Sequence, residues 1–231
     1  MLTVAIHQPN YLPWLGYFYK IRQSDVFVFL DDVQYSKNSY INRVQVLNGG
    51  QVKWLTVPVS YDFGAAINAV SLAQPDWSKR HLDTLKGVYR KAPCFSDIWA
   101  DIESMLSETP QSNLAESNRY LVESIASKLG LVCDFRQSSD LVTGDKRGDD
   151  RLVEIVSGLA PGGRYVSGRG GASYQDGAKF RDAGLELHYA SFDHPTYAQS
   201  SETFVDGLSV LDAAFSLGWS GTAALLERTS R

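Results

Sequence analysis

LTVAIHQPNYLPWLGYFYKIRQSDVFVFLDD, residues 2–32, decides how the rest of the chain is read. Leu2 to Ile6 is a short apolar run that ends in polar, proline-rich sequence, the pattern of a buried parallel strand entering a loop. Beyond Pro13, whose fixed φ suits a first helical turn, Leu15, Phe18 and Ile21, with Tyr17 in part, recur at helical spacing and predict a helix of about three turns. Val26 to Leu30 is continuous, β-branched or aromatic and bounded by aspartates, hence a second strand. Strand, helix, strand in so short a span is the βαβ unit, whose crossover is nearly always right-handed and whose strands are parallel.

Further along, VKWLTVPV at 52–59 reads as extended, with Pro58 marking a sheet edge or strand end. Three helical patterns between Lys79 and Leu129 predict a helical insertion or subdomain. The βα rhythm then resumes: a strand at 131–135, a helix through Leu152 to Leu159 and a strand near Tyr165. After these come a helix at about 173–182, a strand at 185–189 and a late helix through Val210, Leu211 and Phe215. The fold expected is one α/β domain over residues 1–231, with a mainly parallel sheet flanked by helices and the helical insertion at 79–129.

Composition narrows the function classes. The 231 residues are 44% hydrophobic and 21% charged, as in a folded globular chain. The net charge is −4, from 22 basic and 26 acidic residues without a basic stripe, which disfavours nucleic acid as a partner. No apolar run approaches the roughly 20 residues of a membrane helix, and the N-terminus lacks a signal-peptide pattern, so the expected location is the cytoplasm. Cys94 and Cys133 stand far apart with no Cys/His cluster, so no metal site is expected, and each reads as a small buried hydrophobe. HExxH, GxSxG and kinase signatures are absent.

Parallel sheets bind ligands at the carboxyl ends of their strands, where loops and helix N-termini converge. That rule gathers three clusters: His7-Gln8, Asp31-Asp32 and SGRGG at 167–171. His7 is the general acid/base candidate. Gln8, Tyr11 and Trp14 belong to a loop stiffened by two prolines, and the two aromatic rings suit stacking on a flat ligand; capping of the core would read the same way. Asp31 and Asp32 suit Mg²⁺, sugar hydroxyls or the orientation of His7, with only one facing the site because adjacent strand side chains alternate. Lys37, Asn38, Asn42 and Arg43, within YSKNSYINRVQV at 35–46, suit phosphate or carboxylate, although a solvated loop has the same composition. Ser167, Gly168, Gly170 and Gly171 allow backbone amides close to an anion, or form a plain helix-entry turn. His194 follows the strand at 185–189 and either reaches the same edge or packs in its loop. His81 and His188 read as core or surface residues.

HQPNYLPWLGYFYKI, DVFVFLDDVQYSKNSYINRVQV, WLTVPV, VSGRGG and LSVLDAAF, in this order, resemble the WbqC-like protein family across nearly the whole chain. The resemblance maps the family's characteristic positions onto His7, Gln8, Pro9, Tyr11, Pro13, Trp14, Asp31, Asp32, Lys37, Asn38, Asn42 and Arg43. It implies work in bacterial surface-polysaccharide or O-antigen biosynthesis on a nucleotide-linked or lipid-linked sugar, a small-molecule partner. The layout also resembles the opening of nucleotidylyl-transferase folds, but His7 has no histidine partner three residues on. Three functions stay open: a transferase modifying an amino sugar or nucleotide sugar by acyl or aminoacyl transfer; an Mg²⁺-dependent nucleotidyl or adenylyl transferase; and a noncatalytic sugar-binding or assembly protein. No residue pattern names an obligatory cofactor or an oligomeric state.

Overall fold

The computed structural model describes residues 1–141 and 144–228. β1 (Thr3–His7) and β2 (Val26–Phe29) pair in parallel with Ala5 opposite Phe27, and α1 (Leu15–Arg22) is the crossover between them. α1 has 8 residues, two turns rather than three. The reason is Trp14, which bridges to Ser209 in an extended conformation and holds the chain out of the helix until Leu15.

After β2 the chain leaves the sheet. β3 (Arg43–Asn48) and β4 (Gln51–Thr56) form an antiparallel hairpin, closed by Gly49 and Gly50 at φ 59° and 77°, the left-handed pair that a tight hairpin turn requires. The polar segment at 35–46 therefore runs into a strand, with Val44 and Val46 buried. β5 (Val59–Ser60) pairs with β6 (Ser71–Leu72). The stretch read as a helical insertion is α2 (Trp77–Tyr89), α3 (Phe95–Glu108) and α4 (Leu114–Lys128). Their buried residues Leu85, Ile98, Ile102 and Leu121 join the same apolar cluster as Phe18 and Phe27.

The chain re-enters the sheet as β7 (Asp134–Gln137) and continues through α5 (Gly148–Leu159), β8 (Arg164–Gly168), a 3-10 turn at 169–173, α6 (Gly177–Asp182) and β9 (Glu186–Ala190). It ends in α7 (Val210–Arg228), interrupted at Gly218. The five sheet strands are all parallel, in the order β7-β2-β1-β8-β9. Alternation along them separates two cores. Ala5, Phe27, Phe29 and Val166 face α1, α7 and the three middle helices. Val4, Ile6, Val26, Val28 and Tyr165 face α5 and α6. The protein is an α/β fold with helices on both faces of the sheet.

That arrangement positions the site. The chain leaving β1 turns to the first face and the chain leaving β8 turns to the second, although the two strands are neighbours. Their loops diverge and open a crevice at the carboxyl edge, the place where such sheets take ligands. Among the described residues, no helix is long and apolar enough to cross a membrane.

Candidate functional site

The crevice between the ends of β1 and β8 has a volume of about 450 Å³. His7 and Gln8 form one wall, Ser167, Gly168, Gly170 and Gly171 the other. Two clusters about 160 residues apart in sequence thus meet as the strand-end rule requires. The loop carrying His7 and Gln8 is pinned from behind. Asn118, fully buried, donates to the carbonyls of Pro9 (2.9 Å) and Ile41 (2.7 Å), while the Tyr17 hydroxyl donates to the Gln8 carbonyl at 3.0 Å. Ser209 donates to the Leu12 carbonyl at 2.9 Å and fixes the far end of the loop against α7.

The floor is Lys20, from the last turn of α1. Its side chain turns back towards β1 and its Nζ donates to the Ile6 carbonyl at 2.7 Å, leaving only 6% of the residue exposed. No carboxylate pairs with it among the described residues: none of the ten ion pairs there includes it. Burial alone lowers its pKa from 10.5 to about 7. An ammonium can donate three hydrogen bonds, so a buried one with a single protein acceptor, lining a cavity, is an incomplete anion site.

His7 sits edge-on against Tyr17, ring centroids 4.7 Å apart, and its Nδ1 lies 3.0 Å from the Gln8 carbonyl. A carbonyl only accepts, so Nδ1 carries the proton and Nε2 is left as an acceptor. Burial, then the charge of Lys20, lower the His7 pKa to about 3, against a smaller opposing effect of the Gln8 hydrogen bond. His7 is therefore neutral across the physiological range.

A family model for WbqC-like proteins matches residues 8–224. The chain belongs to the WbqC-like protein family. It is similar to the uncharacterized protein Rv1507c of Mycobacterium tuberculosis (strain ATCC 25618 / H37Rv), with 32% identity over 221 residues that cover 94% of this chain and 95% of the relative. No solved structure matches it.

Other sequence candidates of this WbqC-like protein lie elsewhere. Asp31, 1% exposed, accepts from Ser138 Oγ (3.0 Å), Ser139 N (3.0 Å), Ser139 Oγ (2.7 Å) and Asn68 Nδ2 (3.2 Å), tying the end of β2 to the residues after β7. Burial works to raise its pKa, but these hydrogen bonds outweigh it and hold the carboxyl below the usual range. Asp32 accepts from Ser138 and is paired with Arg151. It borders a separate cavity of about 580 Å³, which touches the crevice at Leu30 and Leu152. With both carboxylates so engaged, the group that orients His7 is the Gln8 carbonyl.

Tyr11 is 1% exposed and hydrogen-bonds His81 at 2.7 Å beneath the loop, so it packs and does not stack on a ligand. Lys37 and Asn38 are exposed in their loop, Asn42 is buried and donates to the Val57 carbonyl at 3.1 Å, and the Arg43 guanidinium lies 4.1 Å from the Trp54 ring centre. None of these four lines the crevice. Trp14 and His194 do come together, stacked at 6.1 Å in a neighbouring trough. The Trp14 ring lies over Gly16, where an added Cβ would stand 2.3 Å from it, so the residue there must be glycine for the ring to stay. Both cysteines are free thiols, and among the described residues no group of His, Cys, Asp or Glu is placed to hold a metal ion.

Four polar or aromatic crevice residues escape the sequence reading of the site: Lys20, Tyr165, Tyr174 and Gln175. A lysine inside a helix ordinarily reads as solvent-facing; the signal for Lys20 was its place between Tyr19 and Ile21, both buried. Tyr174 is 75% exposed at the crevice lip, a large ring left without burial.

Proposed function

We propose that this protein is a transferase that modifies a nucleotide-linked sugar, by acyl or aminoacyl transfer, with the phosphate end of the substrate held in the β1–β8 crevice. The observation that carries this reading is Lys20, a buried ammonium without a counter-charge at the floor of the crevice. A phosphate oxygen would complete its hydrogen bonding and restore its charge. The exposed ring of Tyr174 at the lip offers a face for the nucleobase. Membership of the WbqC-like family supports the setting, surface-polysaccharide synthesis from cytoplasmic precursors.

In such a transfer the acceptor amine attacks the acyl carbonyl of a thioester or activated ester. A C–N bond forms, the donor's C–S or C–O bond breaks, and the departing group takes up the amine proton. His7 serves as a hydrogen-bond acceptor towards the substrate, because its low basicity makes it a poor proton store.

The test is thermal stability of the wild type, Lys20→Met and Tyr174→Ala against nucleotide sugars, pyrophosphate, ATP, CTP, acyl-CoA donors and amino acids, with and without Mg²⁺. A ligand at ~100 times its dissociation constant adds about 2.7 kcal/mol to folding stability. Stabilisation by a nucleotide sugar and by pyrophosphate is expected in the wild type and not in Lys20→Met, while Tyr174→Ala should lose roughly 1–3 kcal/mol of nucleotide binding and keep pyrophosphate. Stabilisation by nucleoside triphosphates alone, and only with Mg²⁺, would replace this reading with nucleotidyl transfer.

A further inference from the structure

The crevice does not end at His7. A chamber of about 330 Å³ runs from it past Gly16 and Ala190 to Trp14 and Phe192. The same two rings also line an open trough of about 890 Å³, together with His194, which stacks on Trp14, and with Tyr40 and Phe204. Phe192 stands edge-on to Trp14 at 5.3 Å, and Phe204 stands edge-on to His194 at 5.3 Å. These rings come from four separate segments and none is fully buried; Tyr40 is 46% exposed. Packing among themselves accounts for His194, whereas Tyr40 rests on Trp54, ring centres 5.7 Å apart, and is still half exposed beside the trough.

The polar residues along the trough are Gln45, Asp193 and Asp206, and no lysine or arginine lines it among the described residues. Asp193 meets Arg169 at 3.6 Å, a pair with both side chains largely exposed and hence weak. The charge pattern is the reverse of the crevice, where Lys20 has no paired carboxylate among the described residues.

We infer that the trough is the subsite for an aminated pyranose, the sugar end of the substrate whose phosphate end the Lys20 crevice holds; in that last respect it rests on the proposed function. A pyranose ring presents an apolar C–H face, which a half-exposed aromatic wall covers, and a rim of hydroxyls, which carboxylates and an amide can accept from. Two carboxylates, of which Asp206 has no paired cation among the described residues, disfavour a uronic acid or a second phosphate, and aromatic faces beside carboxylates favour an ammonium. Trp14 belongs to both the chamber and the trough, so it is the wall along which one ligand would pass from phosphate to sugar.

The experiment is saturation-transfer NMR of the protein with the methyl glycosides of glucosamine, galactosamine, glucose and glucuronic acid, with pyrophosphate stabilisation measured in parallel. Variants are Phe204→Ala and Asp206→Asn. The aminated glycosides should bind at least tenfold more tightly than the glucuronide. Phe204→Ala should weaken them tenfold or more, Asp206→Asn should abolish the preference for the amine, and both variants should keep the wild-type response to pyrophosphate, which also shows that they fold. Absence of aminated-glycoside binding, equal binding of the glucuronide, or an unchanged affinity in Phe204→Ala would overturn the subsite. Glycoside binding as expected with no pyrophosphate effect in the wild type would instead overturn the phosphate end alone.

Discussion

Replacing Lys20 by methionine should make the protein more stable. The residue is only 6% exposed, with one hydrogen bond and no paired carboxylate among the described residues. Its pKa falls from 10.5 to about 7 on folding, which at ~1.4 kcal/mol per pH unit corresponds to roughly 5 kcal/mol of lost stability once the amine is fully charged. Because the folded value is the lower one, the cost is absent above pH 10.5, grows as pH falls towards 7 and is constant below that. Methionine has nearly the same length, carries no charge and gives up only the bond to the Ile6 carbonyl, about 1–2 kcal/mol. The net gain is about 3 kcal/mol at pH 6–7, or roughly 6–12 °C in Tm for a chain of this size. The assay is urea unfolding of both proteins between pH 6 and 10. The gap should narrow as pH rises and close by about pH 9.5. A variant no more stable than wild type at pH 7, or a gap that does not move with pH, would refute the claim that an uncompensated charge is buried there.

Two further outcomes follow from the same geometry. Asp31→Ala should cost on the order of 3 kcal/mol at pH 7, because it strands the donors of Ser139 and Asn68, while Ser138 keeps Asp32 as its acceptor. Since the Asp31 pKa is lowered in the fold, that contribution is present above the ordinary carboxylate range and is lost as pH falls through the folded value; unfolding curves that differ by the same amount at pH 7 and pH 2 would contradict it. His7 should show no protonation in an NMR titration from pH 8 down to 5, given its pKa of about 3, and a shift centred near 6.5 would mean that the ring is open to water.

The first βαβ unit was legible because its strands are apolar throughout and its helix is spaced, so a single period fits each piece. The hairpin was half hidden. Val52 to Val59 reads as extended, but its partner β3 begins in a segment where Asn42 and Arg43 signal binding, and there the burial of Val44 and Val46 prevails. The NGG at 48–50 was the available cue, since two adjacent left-handed residues between strands are the mark of a tight hairpin. Among the candidates, His7, Gln8 and the 167–171 glycines were brought to one crevice by a rule about strand ends, which needs only topology. Tyr11 and Asp31 were drawn into the site by their chemistry alone, and chemistry does not say whether a residue in a rich loop points out or in.

Lys20 and Asp31 separate on what their burial costs. Asp31 looks catalytic in sequence, yet every polar neighbour is spent on satisfying it, so its charge is at home in the fold and it holds β2 to β7. Lys20 looks incidental in sequence, yet the fold buries its charge and leaves it with one acceptor. Stability alone would favour methionine or leucine at that position, whose neighbours Tyr19 and Ile21 are buried. A charge buried against the interest of the fold, at the crevice where the chain connections diverge, is what the proposed phosphate end of the substrate would offset. Pattern reading assigns each residue its cheapest environment, so it passes over such a position, and the mismatch between assignment and structure is what singles it out.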